Sequence, residues 1–286
     1  NLNSSNISDG FQISDSGDGI SNINPDDIEE ISVLSGASAS ALYGGQAANG
    51  VILITTKKGK AGKSSVNFNS SVTFDKPFIL PKVQNTYGAL NGGFNGWGAK
   101  AAAPSSFSPK DFFNTGKTYT NSISISGGTE KNQSYFSAAA TNAQGIIPNN
   151  KLDRYNFAYR NTATFFDDKL SIDGNVAYTS QKAQNMPGQG QYYNPLTGVY
   201  LFPSASADFN QYKEYEKFNS LRNIYTQNWP YDANGIALQN PYWVANRNLF
   251  QNQRNRILGS VTAKYNFTSY LNLQGRVKID RTTDYN

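Results

Sequence analysis

Residues 24–60 read NPDDIEEISVLSGASASALYGGQAANGVILITTKKGK, and their order describes a compact α/β unit followed by a chain that leaves it. Asn24 suits an N-cap, Pro25 the first helical position, and Asp26 and Asp27 the positive end of a helical turn. Residues 31–34 predict a short buried strand. Ser35 or Ser38 is placed to cap a small alanine-rich helix through Leu42, which Gly44 and Gly45 end. Val51 to Thr56 is apolar and β-branched, the composition of a strand buried on both faces.

This stretch resembles the end of the plug domain in SusC/RagA-type TonB-dependent outer-membrane transporters. The resemblance is carried by NPDDIE at 24–29, the Ala- and Ser-rich segment into ALYG at 41–44, and AANGVILITTKKGK at 47–60. Where that family often has serine, arginine and glycine after YG, this chain has Gly45, Gln46 and Ala47. The resemblance implies import of large nutrients, oligosaccharides or oligopeptides, across the bacterial outer membrane. It also implies a SusD-like surface lipoprotein as partner and TonB, acting through a segment outside this chain, as the source of work. The implied fold is mainly β. Residues 1–62 form the C-terminal part of an α/β plug domain. Residues 63–286 form part of a large antiparallel transmembrane β-barrel, about seven of roughly 22 strands. Two looser resemblances agree. Residues 121–135, with SISGG and the following SYF, look like the family's second and third barrel strands. NPYWVANRN at 240–248 looks like its third extracellular loop descending into the barrel.

Composition narrows the chemistry. The chain has 286 residues with no cysteine and no histidine. That removes disulfides, thiolates, the usual general base, the usual zinc ligand and any Ser-His-Asp triad. No enzyme activity, cofactor or metal site is expected. Asp15, Asp18 and Gly19 match a calcium loop only in part, since the EF-hand spacing and its closing Glu are missing. Gly62, Lys63 and Ser64 echo the tail of a P-loop, but Lys57 stands where that motif needs glycine. The net charge is +5, with Lys57, Lys58, Lys60 and Lys63 as the densest basic patch. No nucleic-acid-binding signature accompanies it, so a solvated turn between plug and barrel is the better reading and no nucleic acid partner is expected.

No stretch approaches the roughly 20 apolar residues of a membrane helix. A barrel needs only alternate residues to face lipid. The chain opens at Asn1 in polar Gly-, Ser- and Asn-rich sequence without a signal peptide, and so reads as an internal piece of a processed protein. From Lys63 onward the pattern is long alternation. Val66, Phe68, Val72 and Phe74 oppose Asn67, Asn69, Ser71, Thr73 and Asp75. Ile123 and Ile125 alternate with serines. Residues 133–141 are small and Ala-rich, and their facing is ambiguous. Tyr155, Phe157, Tyr159, Ala163 and Phe165 oppose Asn156, Arg160, Thr162 and Thr164. Leu170, Ile172, Val176 and Tyr178 oppose Ser171, Asp173, Asn175, Thr179 and Gln181. Ile257, Val261, Ala263, Tyr265 and Phe267 oppose Arg256, Ser260, Thr262, Lys264 and Asn266. Leu271, Leu273, Val277 and Ile279 oppose Asn272, Gln274, Arg276, Lys278 and Asp280.

Alternation fits a membrane barrel or a soluble β-sandwich, and the connections separate them. Residues 127–131, 167–169 and 268–270 are tight turns, whereas 76–120, 144–153 and 182–253 are long loops. Strict alternation of short and long is the habit of outer-membrane barrels. A strand rising from a periplasmic plug puts the long loops outside. The alternative is a soluble or surface-anchored β-rich glycan-binding module, whose apolar faces would meet in a dry core. A β-rich enzyme is a second alternative, disfavoured by the missing His and Cys.

Candidate substrate contacts are the loop aromatics Tyr87, Phe94, Trp97, Tyr192, Tyr193, Trp229, Tyr231 and Trp243, with Tyr43 and Gln46 in the plug turn. Aromatic faces stack on sugars or apolar peptide side chains, while amides supply directional hydrogen bonds. The competing role is stapling the loops or touching the partner lipoprotein. Tyr155, Phe157, Phe267 and Tyr270 read as an interfacial girdle in outer-membrane lipid. Asp26, Asp27, Glu29 and Glu30 read as helix-end charges or as ion pairs to inward Arg and Lys, rather than as an acid–base pair. Three expectations follow for the fold. The polar strand faces should enclose residues 1 to about 62. The two longest loops should share one end. The first and last strands should be open edges, whose unpaired groups would cost several kcal/mol each in hydrocarbon and so call for further polypeptide.

Overall fold

Alternation from Gly62 onward builds one sheet, and the α/β unit before it rests against that sheet's polar face. The computed structural model describes residues 20, 22–88, 97–104, 108–186, 193–200, 209–229 and 239–285. Asp15, Asp18 and Gly19 lie outside the described residues.

The leading unit starts with a 3-10 turn, Pro25–Asp27, in which the Asn24 side chain accepts from the Asp26 N–H. Strand β1 (Ile28–Leu34), helix α1 (Gly36–Tyr43), a 3-10 turn (Gly45–Ala47) and strand β2 (Val51–Thr56) follow. Ser35 occupies the N-cap position of α1 without a side-chain hydrogen bond, and Gly44 ends the helix at φ 77°. β1 and β2 form a two-stranded antiparallel sheet, with Ile28 opposite Thr56 and Leu34 opposite Val51. The expectation of buried strands is corrected here: Ile31, Val33 and Ile52 are 54%, 72% and 51% exposed. Each strand has a single neighbour, and no described residue covers the second face.

The wall comprises β3 (Gly62–Asp75), β4 (Gly116–Gly128), β5 (Asn132–Gln144), β6 (Lys151–Phe165) and β7 (Leu170–Gln184). A small hairpin of β8 (Glu216–Asn219) and β9 (Ile224–Gln227) intervenes, and β10 (Gln251–Asn266) and β11 (Asn272–Tyr285) complete the wall. The seven-stranded sheet has the order β11-β10-β7-β6-β5-β4-β3, antiparallel throughout. β3 and β11 are its two edges and do not pair with each other, so the barrel is partial.

The register puts the connections where alternation predicts them. Asp75 opposite Gly116, Gln144 opposite Lys151 and Gln184 opposite Gln251 mark one end, where both longest loops lie. Phe165 opposite Leu170 and Asn266 opposite Asn272 mark the other end, with the tight turns. The connection expected over 144–153 is shorter than its sequence predicts. Pairing continues to Gln144 and Lys151, so 145–150 is a short link closed by the Gly145 N–H donating to the Asn150 carbonyl at 3.0 Å. The 182–253 loop is also not irregular throughout. It carries α2 (Pro195–Tyr200), α3 (Phe209–Lys213), the β8–β9 hairpin and α4 (Pro241–Arg247).

Facing follows the period-2 rule. On the inner strands Phe157, Val176 and Val261 point outward, 46%, 47% and 54% exposed, while Asn156 and Thr179 are buried on the other face, and the apolar strand faces do not meet in a dry core. The ambiguous strand β5 turns Tyr135, Ser137 and Ala139 inward and Phe136 outward. Among the described residues no helix is long and apolar enough to cross a membrane.

Candidate functional site

Two constellations stand out: the contact between the leading unit and the wall, and the aromatic cluster of the outer loops.

Alternation brings one residue per strand to each level of the inner face, and those that bond segment 22–27 are polar, with Ala158, Ala177 and Leu258 on a level beside them. The segment 22–27 crosses these rows. Asn156 Nδ2 and Thr179 Oγ1 both donate to the Asn22 carbonyl, at 2.8 and 3.0 Å. Tyr135 Oη donates to Asp27 Oδ1 at 2.9 Å, both residues being buried. Ser122 Oγ donates to Asp26, and Asn69 Nδ2 reaches both oxygens of that carboxylate at 3.2 and 3.3 Å. The segment 56–60 makes a second set of contacts. Arg160 forks onto Asp173 (Nη2 to Oδ2, 2.7 Å) and gives Nη1 to the Thr56 carbonyl at 3.0 Å. The Lys60 N–H donates to Ser126 Oγ at 3.1 Å. Gly59 lies so close to β5 that a Cβ there would sit 2.5 Å from the Ser134 nitrogen. Any side chain would push the strands apart.

Asp26 and Asp27 lie in the first turn of the 3-10 segment and accept hydrogen bonds from the wall rather than forming ion pairs with inward Arg and Lys, and Glu30 accepts from its neighbour Ser32. The described ion pairs are Arg160–Asp173, Arg247–Glu216, Arg254–Asp284 and Arg256–Asp280, and none joins the leading unit to the wall. Hydroxyls and amides do that work, because serine, threonine and asparagine populate the inner rows facing 22–27. Between the unit and β3–β4 is a polar cleft of about 370 Å³, lined among others by Glu29, Lys60, Asn67 and Ser124. Among the described residues no group of three or more His, Cys, Asp or Glu is placed to hold a metal.

In the outer loops Phe112, Val199 and Tyr212 form a fully buried core, with Leu196, Trp229 and Tyr242 packed on it. Asn240 is buried at its centre. Its amide donates to the carbonyls of Tyr212 and Asn228, and its carbonyl caps α4 by accepting from Tyr242 and Trp243 N–H. Burial pushes the Tyr200 and Tyr242 hydroxyls above their ordinary range, and for Tyr242 the nearby Asp111 charge adds to the shift.

The structure scatters the sequence candidates. Trp229 tilts against Tyr212 at 4.8 Å in the loop core, and Tyr193 meets Phe250 edge-on at 5.5 Å. Tyr87 and Trp97 form a separate pair at 5.5 Å, with Trp97 73% exposed. Trp243 sits on α4, half-buried. Tyr43 and Gln46 are exposed at the end of α1 and the turn after it. Phe94, Tyr192 and Tyr231 lie outside the described residues. Sequence reasoning missed Tyr135, Asn156 and Thr179 as partners of the leading unit, and Phe112 and Asn240 as the loop core. The alternation marked Asn156 and Thr179 as inward, but nothing local said what they would meet.

Residues 3–51 match the TonB-dependent Receptor Plug Domain family. The chain is 30% identical over 291 residues to the TonB-dependent receptor SusC of Bacteroides thetaiotaomicron, covering 93% of this chain and 28% of SusC. It is 29% identical over 259 residues to the TonB-dependent receptor P26 of Formosa agariphila, covering 86% of this chain and 24% of that receptor. Among solved structures, the RagAB peptide importer in its open-open state superposes with a TM-score of 0.68 at 20% identity, over 93% of this chain and 33% of that one. This chain therefore spans about a quarter to a third of the length of the relatives it matches.

Proposed function

We propose that the whole protein, as a SusC/RagA-type TonB-dependent transporter of the outer membrane, imports large nutrients, oligosaccharides or oligopeptides, with a SusD-like lipoprotein as lid. Residues 1–62 would be the C-terminal part of the plug and 63–286 the wall with its outer loops. TonB would act on the plug from the periplasm. The observation that carries this reading is the α/β unit seated by hydrogen bonds on the polar face of a sheet whose apolar face is turned outward. A soluble binding module has no use for that inversion. Of the candidate aromatics, the pair of exposed Trp97 and half-buried Tyr87 best suits a substrate or partner contact, whereas Trp229 is engaged in packing.

The test is uptake by cells producing the whole protein, offered a panel of oligosaccharides and oligopeptides with and without functional TonB. TonB-dependent uptake of one class is expected. TonB-independent uptake, or a protein that stays soluble without detergent, overturns the reading.

A further inference from the structure

The unit between the two wall contacts is a hairpin whose ends lie together. Ile28, at the start of β1, pairs with Thr56, at the end of β2. The Lys57 N–H donates to the Asp27 carbonyl at 2.8 Å, tying the leading segment to the exit segment. The two segments are held to the wall in different ways. The exit segment continues covalently into β3 at Gly62, and Gly59 is pressed against the β5 backbone. The leading segment is held by side-chain hydrogen bonds: Asn156 and Thr179 on Asn22, Ser122 and Asn69 on Asp26, and Tyr135 on Asp27.

We propose that these side-chain contacts, with the buried Tyr135–Asp27 bond at their centre, are a latch that peels before anything else in this part of the plug. The direction of load rests on the reading of the protein as a TonB-driven importer. Tension arriving from residues before Asn22 acts against an exit segment that cannot move. In an antiparallel pair with both ends at one side, such tension opens the ladder one pair at a time, starting at Ile28 and Thr56 and ending at Leu34 and Val51. The wall contacts stand in front of that sequence and set the load at which it begins. Tyr135 is thus a positioning residue for gating and touches no substrate in this role. The polar cleft beside Asp26 and Glu29 is what peeling would widen.

The experiment is constant-force pulling on the whole protein in a lipid bilayer, through a handle on Ile20→Cys, alongside uptake in cells. Segment 20–57, extended at roughly 3.4 Å per residue, gives a first step of about 13 nm. Tyr135→Phe keeps the ring and removes the hydroxyl. It should shorten the lifetime before that step roughly tenfold or more, as expected for one hydrogen bond to a charged group, with the step length unchanged. A disulfide from Ser32→Cys and Leu53→Cys, which face each other across β1 and β2, should cut the step to about 5 nm and stop uptake until it is reduced. An unchanged lifetime in Tyr135→Phe overturns the proposal, as does a first step of another length. So does undiminished uptake by the stapled protein. The force arms decide the latch even if unstapled protein imports nothing, an outcome that would instead remove the transport reading.

Discussion

The wall and the outer-loop unit are both ordered by moving apolar surface out of water, but into different media. In the wall, Val72, Val176, Val261 and Val277 face outward, and the enclosed side carries Asn156, Thr179 and Arg160. Its cohesion comes from unbroken ladders between neighbouring strands. The loop unit does the reverse. Phe112, Val199 and Tyr212 are packed inside with aromatic neighbours, and one buried asparagine satisfies the backbone around them. A side chain's worth therefore depends on which medium its face meets, not on its own polarity. Substitutions that separate the two regions test that statement.

The largest effect should come from Phe112→Ala. Emptying the loop core should cost about 3–5 kcal/mol of that unit's stability. Limited proteolysis should then cut within 195–247, while the wall keeps its resistance to heat and detergent. Collapse of both together would mean that the regions are one cooperative body. Next is Val261→Arg on the outward face of β10, expected to cost about 2–4 kcal/mol if it lies near the bilayer midplane, read by denaturant titration in liposomes. Thr73→Arg, on the inward face of β3, should change stability by less than about 0.5 kcal/mol. Equal costs at the two sites would erase the distinction between faces.

Asn240→Ala should remove about 1–3 kcal/mol from the loop unit, since it orphans the carbonyls of Tyr212 and Asn228 and uncaps α4. Amide hydrogen exchange confined to α4 and the β8–β9 hairpin would report it. The smallest effect is with pH. Tyr200 and Tyr242 titrate higher when folded than the ordinary value near 10. Above that value the unfolded loop loses protons that the folded loop keeps, so stability is intact below about pH 10 and falls as pH rises further. Near-ultraviolet circular dichroism of the loop aromatics should fade above pH 10, before the far-ultraviolet signal of the strands changes.

Much of this protein was legible in the order of its residues. Asn24, Pro25, Gly44 and the β-branched run at 51–56 marked the leading unit, because caps, turns and strand composition act over a few residues. The inward and outward rows were equally readable, since a strand presents alternate residues to alternate sides whatever it pairs with. The number of wall strands and the end that holds the long loops came from the same pattern. Other features depended on distant parts of the chain. Residues 133–141 have no hydrophobic contrast, and only pairing with β4 and β6 turns Tyr135 inward to Asp27. The carboxylates at 26 and 27 invited basic partners. They met hydroxyls and amides because Ser122, Asn69 and Tyr135 are what the register brings opposite them. Loop aromatics carry no periodicity, so the split between a packed Trp229 and an exposed Trp97 was set by which loops met in space. Local chemistry determined each element and the side it shows. Contacts between residues a hundred positions apart decided which of those sides touch.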